Sequence, residues 1–267
     1  MNRIEKRFRA LAKSDDKALI AYIMAGDPDL ETTGELILAL EEGGADIIEL
    51  GVPFSDPLAD GPVIQRASER ALASKTSLKK VLGLVKDIRK KTDIPIILMT
   101  YYNIIYKYGE ADFASHASSA GVDGVIIPDL PPEEGSDIIG HCRSNGIDTI
   151  FLLAPTSNDK RIRKVSLASR GFVYYVSLTG VTGVRTALSD SIKPMTDKIR
   201  KTSKRPLAVG FGISNARQAA EVAANADGVV VGSAIVKLVE ENIGTKGIIP
   251  AVKGLASELK AGISAKS

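Results

Sequence analysis

Cysteine and histidine are both scarce in this chain of 267 residues. Its single cysteine, Cys142, excludes an intramolecular disulfide and a cysteine-based zinc site. The two histidines, His116 and His141, have no partner at metal-ligand spacing. We therefore predict no metal site and interpret both histidines as structural or surface residues.

Long apolar runs and a strong excess of one charge are also missing. No apolar run approaches the roughly 18 residues of a membrane helix, and the charged segment Met1–Phe8 is unlike a signal peptide. The net charge of +3 is spread along the chain. Its densest cluster, Arg89–Lys91, ends a helical pattern, where cations favour the helix dipole. We expect a cytoplasmic protein that binds neither membrane nor nucleic acid.

Eight short apolar runs are spaced along the chain. Continuous apolar runs are typical of strands buried on both faces of a parallel sheet. Four of the runs follow a tripeptide that ends in Asp, at residues 44–46, 121–123, 146–148 and 225–227. The predicted strands are Ala18–Met24, Ile47–Gly51, Ile94–Met99, Val125–Ile127, Ile150–Leu153, Phe172–Val176, Leu207–Val209 and Val229–Val231.

Helical patterns separate these runs. An order of strand and helix that repeats eight times in about 250 residues fits a (β/α)₈ TIM barrel of the α/β class. An open doubly wound sheet is the alternative, but no linker or composition break divides residues 1–267, which favours a single TIM-barrel domain. Ile4, Phe8 and Leu11 predict an extra N-terminal helix. The other predicted helices include Leu30–Gly43, Leu78–Lys91, Pro132–His141 and Ser214–Ala224.

Two carboxylates mark the second predicted strand and the loop after it. Catalytic residues of such barrels lie where strands end, and Glu49 lies at the end of an apolar strand. Burial should raise its pKa and allow it to give as well as take a proton. Asp60 follows on a Pro- and Asp-rich loop, where it is either a second catalytic acid or a turn residue. For Glu49 the alternative is a satisfied structural acid.

Glycine-bearing turns follow the last three strands, at Gly180–Gly183, Gly210–Ser214 and Gly232–Ala234. Glycine lets a backbone approach a ligand closely, and barrels often bind phosphate at the loops after strands seven and eight. We therefore predict a phosphate site, with simple tight turns as the alternative. A dinucleotide fingerprint is excluded because Asn215 occupies the place of its third glycine.

Further polar and aromatic residues lie at other strand ends. Asp129 ends the fourth strand, where we expect it to form hydrogen bonds around the barrel mouth. Tyr101 and Asn103 follow the third strand, and Tyr174 lies in the sixth. The tyrosines offer either an aromatic wall with a hydroxyl or ordinary packing. The segment Val181–Ser191 is predicted to be a long loop of the kind that acts as a lid.

The stretch ELGVPFSDPLADGPVIQ, at Glu49–Gln65, resembles the signature of the tryptophan synthase α subunit family. The similarity covers the whole chain. It continues at Gly26-Asp27-Pro28, at Tyr101-x-Asn103 and at the three glycine-bearing turns.

The resemblance implies a lyase of tryptophan biosynthesis that cleaves indole-3-glycerol phosphate to indole and glyceraldehyde 3-phosphate by a retro-aldol reaction. Glu49 would shuttle protons at indole C3 and the glycerol hydroxyl, and Asp60 would accept a hydrogen bond from the indole N–H. Tyr22 and Thr100 stand where the family pattern suggests Phe and a more apolar residue. The remaining substrate-binding residues would be Tyr22, Ile64, Thr100, Tyr101, Ile126, Asp129, Leu152, Tyr174, Thr182, Gly183, Gly210, Phe211, Gly212, Gly232 and Ser233.

The resemblance also implies a partner, a β subunit that holds pyridoxal phosphate and assembles with this chain as an α₂β₂ heterotetramer. Pro53, Asp56 and Asn103 would contribute to the interface, and the α chain itself would hold no cofactor. Two alternatives are another phosphate-binding barrel, such as an isomerase or phosphate synthase, and a non-catalytic barrel that only activates a β subunit. The presence of Glu49, Asp60 and Thr182 argues against the second alternative.

Overall fold

The computed structural model describes residues 2–176, 188–210 and 212–264. Nine strands within these ranges form one parallel sheet. They are β1 Ala18–Met24, β2 Ile47–Gly51, β3 Ile96–Met99, β4 Gly124–Ile126, β5 Asp148–Ile150, β6 Leu152–Leu153, β7 Val173–Val176, β8 Leu207–Gly210 and β9 Gly228–Val231.

The sheet runs in the order β5-β4-β3-β2-β1-β9-β8-β7-β6. Its two end strands, β5 and β6, are separated in the chain only by Phe151, so they form the two halves of one interrupted strand. The order therefore closes on itself as an eight-stranded barrel. This confirms the predicted TIM barrel, and the doubly wound alternative is wrong.

Twelve helices accompany the strands in the described ranges: α1 Arg3–Lys13, α2 Leu30–Glu42, α3 Pro62–Ala73, α4 Leu78–Ile88, α5 Tyr102–Tyr108, α6 Glu110–Ala120, α7 Ser136–Ser144, α8 Asp159–Ala168, α9 Leu188–Thr202, α10 Ala216–Ala223, α11 Ser233–Glu241 and α12 Ile248–Ser264. The extra N-terminal helix is confirmed as α1. None of these helices is long and apolar enough to cross a membrane.

Several predicted boundaries were wrong, among them the starts of two helices and the end of one loop. The helix expected from Pro132 begins at Ser136, because the Glu134 N–H donates to the Pro131 carbonyl and closes a turn there. The cap of α10 is Asn215, whose side chain accepts the Gln218 N–H, and not the preceding serine. The loop expected to reach residue 191 ends earlier, because α9 begins at residue 188; residues 181–187 lie outside the described ranges.

Alternate residues of each strand face two different apolar layers. On the inside of the barrel, Ile20 and Ile47 pack in one cluster. On the outside, Leu19 and Ile48 pack against the surrounding helices. Both faces exclude water, which explains why the strands read as continuous apolar runs. Inward-facing residues near the carboxyl ends of the strands form the barrel mouth.

The recurrent Asp tripeptides lie at the opposite, amino-terminal face of the barrel. Asp46, Asp123 and Asp227 each accept a backbone N–H from the start of the neighbouring strand through a carboxylate oxygen. The donors are Leu19, Ile96 and Leu207, at 2.7, 3.0 and 2.8 Å. These tripeptides therefore fix how adjacent strands begin, which leaves the other face of the barrel for chemistry.

Helix α1 lies across this amino-terminal face. Its Ile4 and Phe8 are buried in the cluster inside the barrel. On its polar side, Arg7 donates to Asp46 and Arg3 donates to Asp123. The helix thus closes the barrel bottom through both apolar packing and ion pairs.

Candidate active site

Glu49 lies on β2 with its side chain inside the barrel, on the same face as Ile47. Its side chain is only 1% exposed. Its Oε2 atom has no hydrogen-bond partner among the residues that the structure describes. Burial, together with the nearby Asp60 carboxylate, raises the pKa of Glu49 to about 8. Glu49 is therefore a protonated acid at neutral pH that can give up its proton within the mouth.

Asp60 lies on the loop between β2 and α3, where it is partly buried. Tyr101 donates a hydrogen bond from its hydroxyl to Asp60 Oδ2 at 3.1 Å and accepts one from the Ala59 N–H at 3.0 Å. The Gln65 side-chain amide donates a hydrogen bond to the Asp60 backbone carbonyl at 2.9 Å. Burial raises the pKa of Asp60 to about 6, although the Tyr101 hydrogen bond lowers it. At neutral pH Asp60 is thus mainly an anion beside a neutral Glu49.

Two tyrosines each lie over a glycine at the end of the neighbouring strand: Tyr22 of β1 over Gly51 of β2, and Tyr174 of β7 over Gly210 of β8. A Cβ atom on Gly51 would overlap the hydroxyl of Tyr22, and one on Gly210 would lie 2.9 Å from the hydroxyl of Tyr174. Both tyrosine side chains are buried. Glycine is required at these two positions because only a residue without a side chain leaves room for the rings. Gly210 therefore has a packing role that the predicted phosphate turn did not anticipate.

Apolar side chains form the remaining wall of the mouth. Ile64 packs with Tyr22, and Ile126 and Leu152 pack inside the barrel. Met99 contacts both of these clusters and was missed by the sequence reasoning.

Thr100 does not fit its predicted place in this wall. Ile97 and Met99 face inward, so strand alternation puts Thr100 on the outer side with Leu98. The Thr100 N–H continues the ladder by donating to the Ile126 carbonyl at 3.0 Å, which extends the alternation to this residue. The inward position thus belongs to Met99.

The turns after the last strands reach the same rim. Gly212 is exposed with a φ of +62°, a left-handed conformation that favours glycine, and a Cβ there would meet nothing within 4 Å. Gly232 and Ser233 begin α11, whose first N–H groups and positive dipole end suit an anion. The predicted residues Thr182, Gly183 and Phe211 lie outside the described ranges.

Asp129 forms a hydrogen bond beside Tyr101, and the expected interface residues differ in exposure. Asp129 accepts the Tyr102 N–H, at 3.0 Å to one oxygen and 3.2 Å to the other, so it satisfies the first turn of α5. Of the three expected interface residues, Asp56 and Asn103 are exposed but Pro53 is buried. The Pro53 side chain is therefore not available to a partner in this conformation.

Metal ligands are not assembled anywhere in the part of the chain that the structure describes. His116 bonds the Tyr108 hydroxyl through Nδ1 at 2.9 Å on the surface. Cys142 is buried, which raises the pKa of its thiol to about 12.

The whole chain can be compared with known proteins. A solved structure of tryptophan synthase subunit alpha from Legionella pneumophila str. Paris is 41% identical, covers 98% of each chain and superposes with a TM-score of 0.92. A tryptophan synthase structure from M. tuberculosis in an aminoacrylate-bound form is 35% identical, covers 98% of this chain and all of the other, and has a TM-score of 0.88.

The sequence comparisons agree with the structural ones. The alpha chain of tryptophan synthase from Geotalea uraniireducens is 56% identical over 99% of both chains. That of Geotalea daltonii is 54% identical over 99% of this chain and all of the relative. The family model described as "Tryptophan synthase alpha chain" matches residues 8–263. The chain therefore belongs to the tryptophan synthase alpha chain family.

Proposed function

We propose that Glu49 and Asp60 carry the reaction of this chain, which is the cleavage of indole-3-glycerol phosphate to indole and glyceraldehyde 3-phosphate in tryptophan biosynthesis. The observation that supports this assignment is the buried, neutral Glu49 with an unpartnered Oε2 atom, close to an ionised Asp60. Two carboxyls with different environments can take separate roles in one reaction. Glu49 is the general acid–base, and Asp60 is the fixed anion.

The reaction begins when Glu49 donates its proton to indole C3. The indole nitrogen becomes iminium-like, and the Asp60 carboxylate accepts its N–H and stabilises the positive charge. The Glu49 carboxylate then takes the proton of the hydroxyl on the carbon attached to C3. The bond from that carbon to C3 breaks, its electron pair restores the indole ring, and the oxygen becomes the carbonyl of glyceraldehyde 3-phosphate. Glu49 ends in the protonated form in which it began.

Substrate binding divides into a phosphate end and an indole end. Gly212, Gly232 and Ser233 offer N–H groups at the rim, and Thr182, Gly183, Gly210 and Phe211 complete this group by the family pattern. The indole ring lies among the apolar residues inside the mouth. These are Tyr22, Ile64, Met99, Ile126, Leu152 and Tyr174, with Tyr101 holding the Asp60 loop.

The alpha chain family has a beta-subunit partner. For this chain we propose an α₂β₂ assembly in the cytoplasm, with pyridoxal phosphate held by the β subunit alone. Two large apolar side chains, Leu58 and Tyr106, are 93% and 68% exposed near Asp56 and Asn103. Exposed apolar residues rimmed by polar ones suit a protein interface.

Indole release from indole-3-glycerol phosphate tests this proposal. The wild-type chain, alone or with a β subunit, should release indole, and Glu49→Gln should lower kcat on the order of 10² or more because the general acid–base is lost. Asp60→Asn should also lower kcat, since the developing charge loses its counter-ion. Full activity in Glu49→Gln would overturn the role of Glu49, and an inactive wild type with its β subunit would overturn the function.

A further inference from the structure

Tyr22 is the residue on β1 that pairs in register with Glu49 on β2. Its side chain faces into the mouth and is only 6% exposed. Glycines border the ring on two sides: the ring lies over Gly51, and a Cβ on Gly232 would be 3.3 Å from the Tyr22 Cβ. Tyr22 is thereby fixed in one orientation, with its hydroxyl in the space that a side chain at Gly51 would fill.

This orientation places the Tyr22 hydroxyl above Glu49. Glu49 and Gly51 are two residues apart on one strand, so both face inward, and Gly51 is nearer the rim. Burial, followed by the Asp60 and Glu49 carboxylates, raises the pKa of Tyr22 well above its ordinary value. The hydroxyl is therefore a neutral hydrogen-bond donor near both acids of the site.

Glu49 is not fully satisfied by the protein. Its Oε2 atom, on the residue paired with Tyr22, has no hydrogen-bond partner among the described residues. The Tyr22 ring packs with Met24 and Ile64, and its hydroxyl lies near Glu49 in the same mouth. Buried polar groups in folded proteins are almost always hydrogen-bonded. The unpartnered Glu49 oxygen close to the Tyr22 hydroxyl indicates a place for a polar atom of the substrate.

We propose that the Tyr22 hydroxyl is a catalytic hydrogen-bond donor to the substrate oxygen that becomes the aldehyde carbonyl. The inference rests on the proposed roles of Glu49 and Asp60. The substrate hydroxyl on the carbon attached to indole C3 donates to Glu49 and accepts from Tyr22. When Glu49 removes the hydroxyl proton, the oxygen keeps the Tyr22 hydrogen bond while its bond to carbon becomes double. No proton leaves Tyr22, so the proton balance of the reaction is unchanged.

The other phenols of the mouth are less suited to this role. The Tyr101 hydroxyl is already bonded to Asp60 and to the Ala59 N–H. Tyr174 lies across the barrel on β7, and although the Glu49 carboxylate also raises its pKa, its hydroxyl is directed toward Gly210 and away from the β1–β2 pair. Tyr22 is on the strand that pairs directly with that of Glu49. A donor placed where negative charge develops binds the transition state more tightly than the ground state and so lowers the barrier.

The Tyr22→Phe variant removes only the hydroxyl and tests this role. Indole release should fall in kcat by about 10-fold or more, because one preorganised donor to the developing carbonyl is lost. The deoxy analogue indole-3-propanol phosphate lacks the oxygen that Tyr22 contacts, so its Kd should change by less than about 2-fold. Tyr108→Phe, which removes a phenol bonded to His116 on the surface, is the matched control and should keep the wild-type kcat.

The outcomes separate this inference from the proposed function. An active wild type with unchanged kcat in Tyr22→Phe overturns the role of Tyr22 and leaves Glu49 and Asp60 in place. A loss of deoxy-analogue affinity that matches the loss of kcat also overturns it, because Tyr22 would then act only as part of the wall. The reverse reaction gives a second readout: condensation of indole with glyceraldehyde 3-phosphate should slow by the same factor in Tyr22→Phe.

Discussion

The Tyr101 hydroxyl donates to Asp60 Oδ2 over 3.1 Å, and this bond ties the loop after β2 to the end of β3. It has two effects, because it positions the carboxylate and also keeps it ionised by lowering its pKa against the effect of burial. Tyr101→Phe should therefore raise the Asp60 pKa above its value of about 6. The acidic limb of the kcat/KM profile should move to higher pH, as measured by indole release between pH 5 and pH 9.

Tyr102→Phe is a suitable control for this shift. Its hydroxyl also bonds a carboxylate, Glu110, at 2.9 Å, but that pair lies on α5 and α6 away from Asp60. The control should keep the wild-type pH profile. An unmoved acidic limb in Tyr101→Phe would show that the hydrogen bond to Asp60 does not hold during catalysis.

Glu49 should make the stability of the chain depend on pH. Its pKa is raised on folding from its ordinary value of 4.5 to about 8, so the native state binds the proton more tightly than the unfolded state. Stability from this difference is complete below pH 4.5 and is lost as pH rises toward 8. Gln cannot ionise, so Glu49→Gln does not lose this stability. As the pH rises from 5 to 8.5, the variant should therefore become more stable than the wild type by a few kcal/mol, on the order of the linkage between those two pKa values.

Urea denaturation of both proteins at pH 5 and pH 8.5 measures this difference. All other titrating groups are shared by the two proteins, so their contributions cancel to a first approximation. A stability difference that is the same at both pH values would mean that Glu49 is not held neutral in the native state.

The two acids should also be electrostatically coupled. The Asp60 carboxylate is the second cause, after burial, of the raised Glu49 pKa. Asp60→Asn removes this negative charge, so the Glu49 pKa should fall below 8 and the alkaline limb of the residual activity should move to lower pH. Asp87→Asn on α4, an exposed aspartate paired with Lys90, is the control and should leave that limb in place. An unshifted limb in Asp60→Asn would contradict the coupling.

The barrel and its two acids could be predicted from the sequence because their signals are local. Both predicted ends of the strand Ala18–Met24 are confirmed, because burial on two faces requires a continuous apolar run. The same reasoning placed Glu49 inside β2, and its burial is confirmed. The catalytic roles of Glu49 and Asp60 remain predictions.

Contacts between distant residues could not be predicted in this way. The resemblance to the family assigned Thr100 to the wall, but a continuous apolar run does not show which face each residue takes, and Met99 is the residue that faces the mouth. The hydrogen bond of Tyr101 to Asp60 and the overlap of Tyr22 with Gly51 join different strands and loops. Such contacts depend on strand register and loop shape, which single-residue patterns do not encode.

The Asp tripeptides show the same limit, because their sequence marks the strands but not what the carboxylates bind. Asp46 is fully buried and accepts from the Leu19 N–H, from Arg7 of α1 and from Lys260 of α12. Asp46→Asn keeps the size of the side chain but removes the negative charge that Arg7 and Lys260 bond, while Lys260 keeps its pair with Asp16. We expect it to destabilise the chain by about 2 kcal/mol in urea denaturation, the magnitude of a hydrogen bond to a charged group.

Asp93→Asn provides the control on the same face of the barrel. Asp93 also pairs with an arginine of α1, Arg3, but its side chain is 93% exposed. Solvent screening makes such pairs weak, so this variant should lose less than about 1 kcal/mol. Equal losses in Asp46→Asn and Asp93→Asn would mean that burial of the Asp46 carboxylate contributes nothing, and that α1 closes the barrel through the packing of Ile4 and Phe8 alone.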